Sequence, residues 1–207
     1  MKRFAVLAVF CLCAVAANAA IVWDWAPVNG DAVCCWQNQT ALQNFADNFQ
    51  LASNTTLTGF NLFTGNFPPA GTYNVHLYAD SGGIPGALLA SQDVTASSFG
   101  FYGTFNGTDV YEVQLPINMT VSGGVQYWIG ASGNGFEAGQ LSLLGPGDPG
   151  NGVMAQFFGQ SYVFMTGVGD QSYQLVAGSA VPEPSSLVLL GTGVVGLVGA
   201  VRRKLSA

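Results

Sequence analysis

Along the central part of the chain, apolar and polar side chains alternate with a period of two rather than 3.6. In Thr72–Asp80, Tyr73, Val75, Leu77 and Ala79 alternate with Asn74, His76, Tyr78 and Asp80, the pattern of a strand with one buried face. Tyr111, Val113 and Leu115 alternate with Glu112 and Gln114, and Val125, Tyr127, Ile129 and Ala131 alternate with Gln126, Trp128 and Gly130. Further strands are predicted over residues 21–25, 47–51, 56–63, 88–95, 153–158, 162–165 and 172–176. Turn-forming runs separate them at residues 65–69, 80–86, 122–124 and 145–152. Residues 37–45 alone have helical potential, and their neighbours argue for loop or strand. Short strands at this spacing predict an all-β fold, a jelly-roll-like antiparallel β-sandwich built as one domain over residues 20–180.

The two ends carry apolar runs of another kind. Lys2 and Arg3 precede an apolar run over residues 4–17, which ends in Ala17-Asn18-Ala19. Charge, apolar core and small-residue site in that order define a secretory signal peptide over residues 1–19, cut after Ala19. Cys11 and Cys13 leave with it, and the bulky residues before each do not suit lipid attachment. At the other end, Val181-Pro182-Glu183-Pro184-Ser185-Ser186 leads into an apolar run over residues 187–201 and then Arg202-Arg203-Lys204. As a helix at about 1.5 Å per residue the run reaches roughly 22 Å, short of the roughly 30 Å hydrocarbon core. Gly191, Gly193, Gly196 and Gly199 weaken it further, so it suits temporary residence in a membrane. Arg202, Arg203 and Lys204 would hold its end on the cytoplasmic side.

Charge changes the picture more than hydropathy does. The chain has 207 residues and a nominal charge of −6, but all 5 of its Lys and Arg residues lie in the two end segments. Residues 20–180 hold ten carboxylates, His76 and no Lys or Arg, so that segment alone carries −10 with His76 neutral. A domain without cations cannot neutralise phosphates, which excludes nucleic-acid binding and a polybasic grip on anionic lipid. It also lacks a Lys for a Schiff base and an Arg for a bidentate anion clamp.

Candidate chemistry is correspondingly sparse. His76 is the only base for a Ser-His-Asp or Cys-His site, and it sits mid-strand on the polar side, where an exposed sheet residue is expected. Cys34 and Cys35 are adjacent; a bond between them would strain the ring, and a bond to another chain or free thiols are the alternatives. They do not form a zinc spacing. No cofactor is called for, and calcium is the one ion that the glycine-containing loops of Asp80, Asp148 and Asp170 would suit. Trp23 and Trp25 share a strand face and, with Tyr78, are the candidate carbohydrate contacts; packing into the core is the competing use of both tryptophans. A glycan-active enzyme would need two carboxylates facing each other across a cleft, and nothing in the sequence selects such a pair.

Val181-Pro182-Glu183-Pro184, the Gly-rich apolar run and Arg202-Arg203-Lys204 together resemble the PEP-CTERM sorting signal of Gram-negative bacteria. The resemblance covers residues 181–207, with a helix over 187–201. It implies export by the secretion machinery, transient anchoring in the inner membrane, processing by an exosortase at Pro182, Glu183 and Pro184, and delivery to the cell surface or an exopolysaccharide matrix. The same tail resembles a segment labelled as the C-terminus of ice-binding proteins, a label that brings no ice-binding activity with it. The run from Tyr73 to Ser91, with Tyr127-Trp128-Ile129, is similar to the β-sandwich ectodomains of PEP-CTERM proteins. The expected function is therefore that of an exported, non-enzymatic surface or matrix protein, with a carbohydrate-binding module and a glycan-active enzyme as the rival readings.

Overall fold

Turns of a few residues between period-two segments dictate antiparallel pairing, because a parallel return needs a long crossover. The computed structural model describes residues 19–28, 32–38, 43–65, 71–134, 137–143, 150–158, 161–166 and 169–178. Within these, the side chains of 32–38, 43, 137, 138, 140, 141, 158 and 161–166 lie outside the description. The described residues form thirteen strands and no helix: β1 (Ala20–Trp25), β2 (Ala32–Asn38), β3 (Gln43–Gln50), β4 (Thr55–Gly65), β5 (Thr72–Asp80), β6 (Pro85–Thr95), β7 (Ser98–Phe105), β8 (Thr108–Val121), β9 (Gln126–Gly133), β10 (Glu137–Leu143), β11 (Val153–Phe158), β12 (Ser161–Thr166) and β13 (Tyr173–Ala177). All belong to one compact unit, Ala19–Gly178.

Every pairing is antiparallel, and the strands fall into two sheets. One runs β7-β8-β4-β13-β1 and the other β12-β11-β3-β9-β5-β6. A β2–β10 ribbon joins them, since Gln140 and Leu141 pair with the end of β4 and Asn38 pairs with Gln43 at the start of β3. Asn106 and Gly107 connect β7 to β8 with φ angles of 47° and 75°. Those left-handed angles are what a two-residue hairpin turn requires, and Asn-Gly is the pair that adopts them most cheaply.

The inner faces build a single core. Leu57, Phe60 and Leu62 of β4, Val113, Leu115, Ile117, Met119 and Val121 of β8, and Tyr173 and Leu175 of β13 cluster with Phe45 and Phe49 of β3, Tyr73, Val75 and Leu77 of β5, and Tyr127, Ile129 and Ala131 of β9. Each large side chain removed from water contributes about 1.5–3 kcal/mol before conformational entropy is subtracted. One flank is closed by a side chain acting as backbone: Gln92 Nε2 of β6 donates to the Asn118 carbonyl at 3.0 Å, and the Asn118 N–H donates to Gln92 Oε1 at 2.9 Å.

The outer face of the second sheet carries a smaller buried cluster. Trp128 is fully buried there against Ala46 of β3 and Ala155 of β11, with Tyr78 and Val153 packed beside them. Gly130 lets the β3 backbone come close to β9 beside this cluster, because a Cβ at that position would collide with the Phe45 carbonyl.

The ten strands expected from alternation are present. Strand β3 begins at Gln43 rather than 47, and β8 runs on to Val121, taking Pro116 at the register shift opposite Gly59 where a missing N–H is tolerated. Strands β2, β7 and β10 lack the alternation and were not anticipated. The expected signal peptide, apart from Ala19, and the sorting tail lie outside the described residues, as does the helix expected at 187–201. Among the described residues no helix is long and apolar enough to cross a membrane.

Candidate functional site

Alternation places Trp23 and Trp25 on one face of β1, and that face is turned to the core. Trp25 is 6% exposed and meets Tyr173 edge-on at 5.5 Å, while half-buried Trp23 lies 5.0 Å from Trp25 and 6.3 Å from Phe49. The Trp25 ring is therefore packing material, not a sugar platform. Tyr78 remains partly exposed on the outer face of β5, 5.9 Å from the His76 ring.

His76 corrects one expectation. It does point to the polar side of β5, but it is 8% exposed rather than open to solvent. Neighbouring strands β6 and β9 flank it, and Ser132, also buried, brings its Oγ to 3.5 Å from Nε2. Burial lowers the His76 pKa to about 4, against an upward pull from Asp93. Asp93 itself accepts from Asn74 Nδ2 at 2.7 Å. A serine wholly buried beside a histidine held neutral presents no nucleophile to a surface substrate.

The loop aspartates are occupied by the fold. Asp80 Oδ1 accepts from Trp128 Nε1 at 2.8 Å, from Gln126 Nε2 at 3.2 Å and from the Gly83 N–H at 3.2 Å, so it ties the β5–β6 turn to the buried indole. Asp170 accepts from the Gly152 and Val153 N–H groups at 2.7 and 3.1 Å. Asp148 lies outside the described residues.

The structure adds a group that sequence reasoning passed over. Asp47 shares a face of β3 with Phe45 and Phe49 and is completely buried. Its Oδ1 accepts from the Asn48 N–H at 2.7 Å and its Oδ2 from the Gln171 N–H at 2.6 Å. Burial, and then the nearby Asp170, push its pKa well above the usual carboxylate value, while the two backbone donors oppose the shift. Tyr173 completes the cluster by donating its hydroxyl to the Asn48 carbonyl at 2.8 Å. The signal was present in the spacing Phe45-x-Asp47-x-Phe49, which puts a carboxylate on an apolar strand face. Asp47 and Asp170 are a carboxylate pair, but both are buried and bonded to backbone, so they face no cleft. Among the described residues no group of three or more His, Cys, Asp or Glu is placed to hold a metal. Cys34 and Cys35 lie in β2, where Cys34 pairs with Leu141 and Trp36 with Gln140, leaving the Cys35 backbone as the extra residue of a bulge.

Two surface features remain. An open groove of about 420 Å³ runs between β6 and β8, lined by Gln92, Asp93, Val94, Pro116, Ile117 and Asn118. Strand β7 exposes Phe99, Phe101 and Tyr102.

Of the processing residues, Ala19 is exposed just before β1, whereas Ala17, Pro182, Glu183, Pro184, Arg202, Arg203 and Lys204 lie outside the described residues. No curated protein matches the chain. Among solved structures it is similar to the VP2 subviral particle of infectious bursal disease virus, at 13% identity and a TM-score of 0.26 over 93% of this chain and 51% of that one. It is likewise similar to the structure of the Gx strain of that virus, at 15% identity and a TM-score of 0.26 over 92% of this chain and 50% of that one. The chain thus spans about half the length of the structures it matches, and likeness at that score carries no argument. The family comparison is more specific, because residues 180–204 match the PEP-CTERM protein-sorting motif. The chain carries a PEP-CTERM sorting signal, which implies an exported protein sorted by an exosortase through transient membrane residence in a Gram-negative bacterium.

Proposed function

We propose that this is a non-enzymatic surface or exopolysaccharide-matrix protein, whose β-domain is the cargo and whose tail is the substrate of the sorting reaction. The observation that carries the reading is the match of residues 180–204 to the sorting motif. Pro182, Glu183 and Pro184 form the recognition site, residues 187–201 the membrane helix, and Arg202, Arg203 and Lys204 the cytoplasmic lock. The buried state of Asp47, Asp170 and the His76–Ser132 pair supports a domain without catalysis. A carbohydrate contact would rest on Tyr78 rather than on Trp25. No cofactor enters the reading, since backbone and indole donors already occupy Asp80 and Asp170; a calcium-dependent rise in unfolding midpoint would revise that point. Replacing Pro182, Glu183 and Pro184 together by alanine should trap the chain in the inner-membrane fraction. Unchanged delivery to the surface would overturn the reading.

A further inference from the structure

Residues 169–172 run into the sandwich before β13 begins and belong to no strand, so no regular ladder fastens them. Their backbone is attached by the Leu143–Gln171 bridge and by the bonds of Ser172 to Ser142 and Phe63, the last a long 3.4 Å. The other ties converge on Asp47, Asn48 and Asp170. The Gln171 N–H donates to Asp47 Oδ2 at 2.6 Å, and Asp170 accepts from Gly152 and Val153 at 2.7 and 3.1 Å where β11 starts. On Asn48, the carbonyl accepts the Tyr173 hydroxyl and the side-chain oxygen accepts Asn151 Nδ2, each at 2.8 Å. This end is also the costly one to keep closed. Asp47, Asp170 and Gln171 are all buried, and both polar atoms of the Gln171 side chain lack a partner, a penalty that is relieved once water enters.

We propose that Asp47 and Asp170 form a pH-operated latch: while the pair holds a proton, residues 169–172 stay fastened between β3 and the start of β11, and loss of that proton lets this end of the sandwich open while the β4–β8 pairing stays closed. The argument is one of counter-charge. Two carboxylates buried side by side ionise together only at a high desolvation and repulsion cost unless a cation joins them. Residues 20–180 hold no Lys or Arg. Asp47 pairs with Ile129 of β9 and Met154 of β11, two strands without a charged residue, and the titratable groups that face it are Asp170 and the Tyr173 hydroxyl. A proton is therefore the one positive charge that the surrounding residues leave to the pair. Burial and the Asp170 charge both raise the proton affinity of Asp47, so the fastening is complete at acid pH and is lost as pH rises through the folded value. An exported domain meets the pH of its surroundings directly, which gives the latch a signal to answer. The latch stands or falls separately from the surface or matrix reading.

Native-state hydrogen exchange on the purified full chain, from about pH 5 to about pH 9 and corrected for intrinsic rate, tests this. The Asn48, Gly152, Val153 and Gln171 amides report the latch, and the β8 amides bonded to β4 report the core. The latch amides should lose protection as pH rises, by up to about tenfold per unit, and should be open at a pH where the core amides remain protected. Asp47→Asn, which cannot titrate, should abolish that slope, whereas Asp109→Asn at an exposed position of β8 should keep it. Protection of the latch amides that does not change with pH, latch and core amides that open together, or a slope that survives in Asp47→Asn would each overturn the proposal. Should Asp47→Asn fail to fold, the wild-type comparison of latch and core amides decides by itself.

Discussion

Strands β7 and β9 are each eight residues long, uncharged, aromatic and broken by two glycines, yet one is almost wholly exposed and the other almost wholly buried. What separates them is place. Strand β9 lies between β3 and β5, and its Trp128 is buried on the outer face in a cluster with Ala46 and Ala155, whereas β7 pairs with β8 alone among the described residues and lays only Tyr102 onto buried Phe63. The same residue types therefore serve as core in one strand and as surface in the other. Composition sets what a strand can bury; topology decides whether it does.

The largest break in this comparison is Trp128→Ala. Loss of an indole buried on both sides should cost about 3–5 kcal/mol, a large share of the 5–15 kcal/mol typical of a domain, and urea unfolding would measure it. Next is pH. The His76 pKa is about 4 in the folded domain against an ordinary 6.5, so the unfolded chain binds the extra proton between those values. The stabilisation is complete above about 6.5 and is lost as pH falls toward 4, amounting to at most about 3 kcal/mol. His76→Gln should flatten unfolding curves in that window. Asp47 acts with the opposite sign: its raised pKa gives stability at acid pH that is lost as pH rises through the folded value. Asp47→Ala should remove that slope and, by stranding the Asn48 and Gln171 N–H groups, cost about 2 kcal/mol at low pH. The smallest effect belongs to β7, where Phe101→Ala should leave the unfolding free energy within about 0.5 kcal/mol.

The same contrast marks what the sequence could disclose. Tyr127, Ile129 and Ala131 announce the inner face of β9 because one buried face imposes alternation. Trp128 does not announce its burial, since the side chains it clusters with come from β3 and β11, remote in sequence. Ser98-Phe99-Gly100-Phe101-Tyr102 has no alternation to read, which follows from a stretch exposed residue after residue, with only Tyr102 laid onto buried Phe63. His76 was legible as to side and not as to burial, for its shielding comes from neighbouring strands. Asp47 was legible in its spacing between Phe45 and Phe49, but its meaning depends on Gln171, 124 positions away. The sorting motif was legible, because its signal is local order and not folded geometry.

The central claim is that the two ends are addresses and that the mature product is a domain without cations. Intact-mass analysis of the form released to the cell surface tests it most directly. The account predicts a chain starting at Ala20, ending beside Pro182-Glu183-Pro184, and lacking all 5 Lys and Arg residues of the full sequence. A surface form that still ends at Ala207 would contradict it.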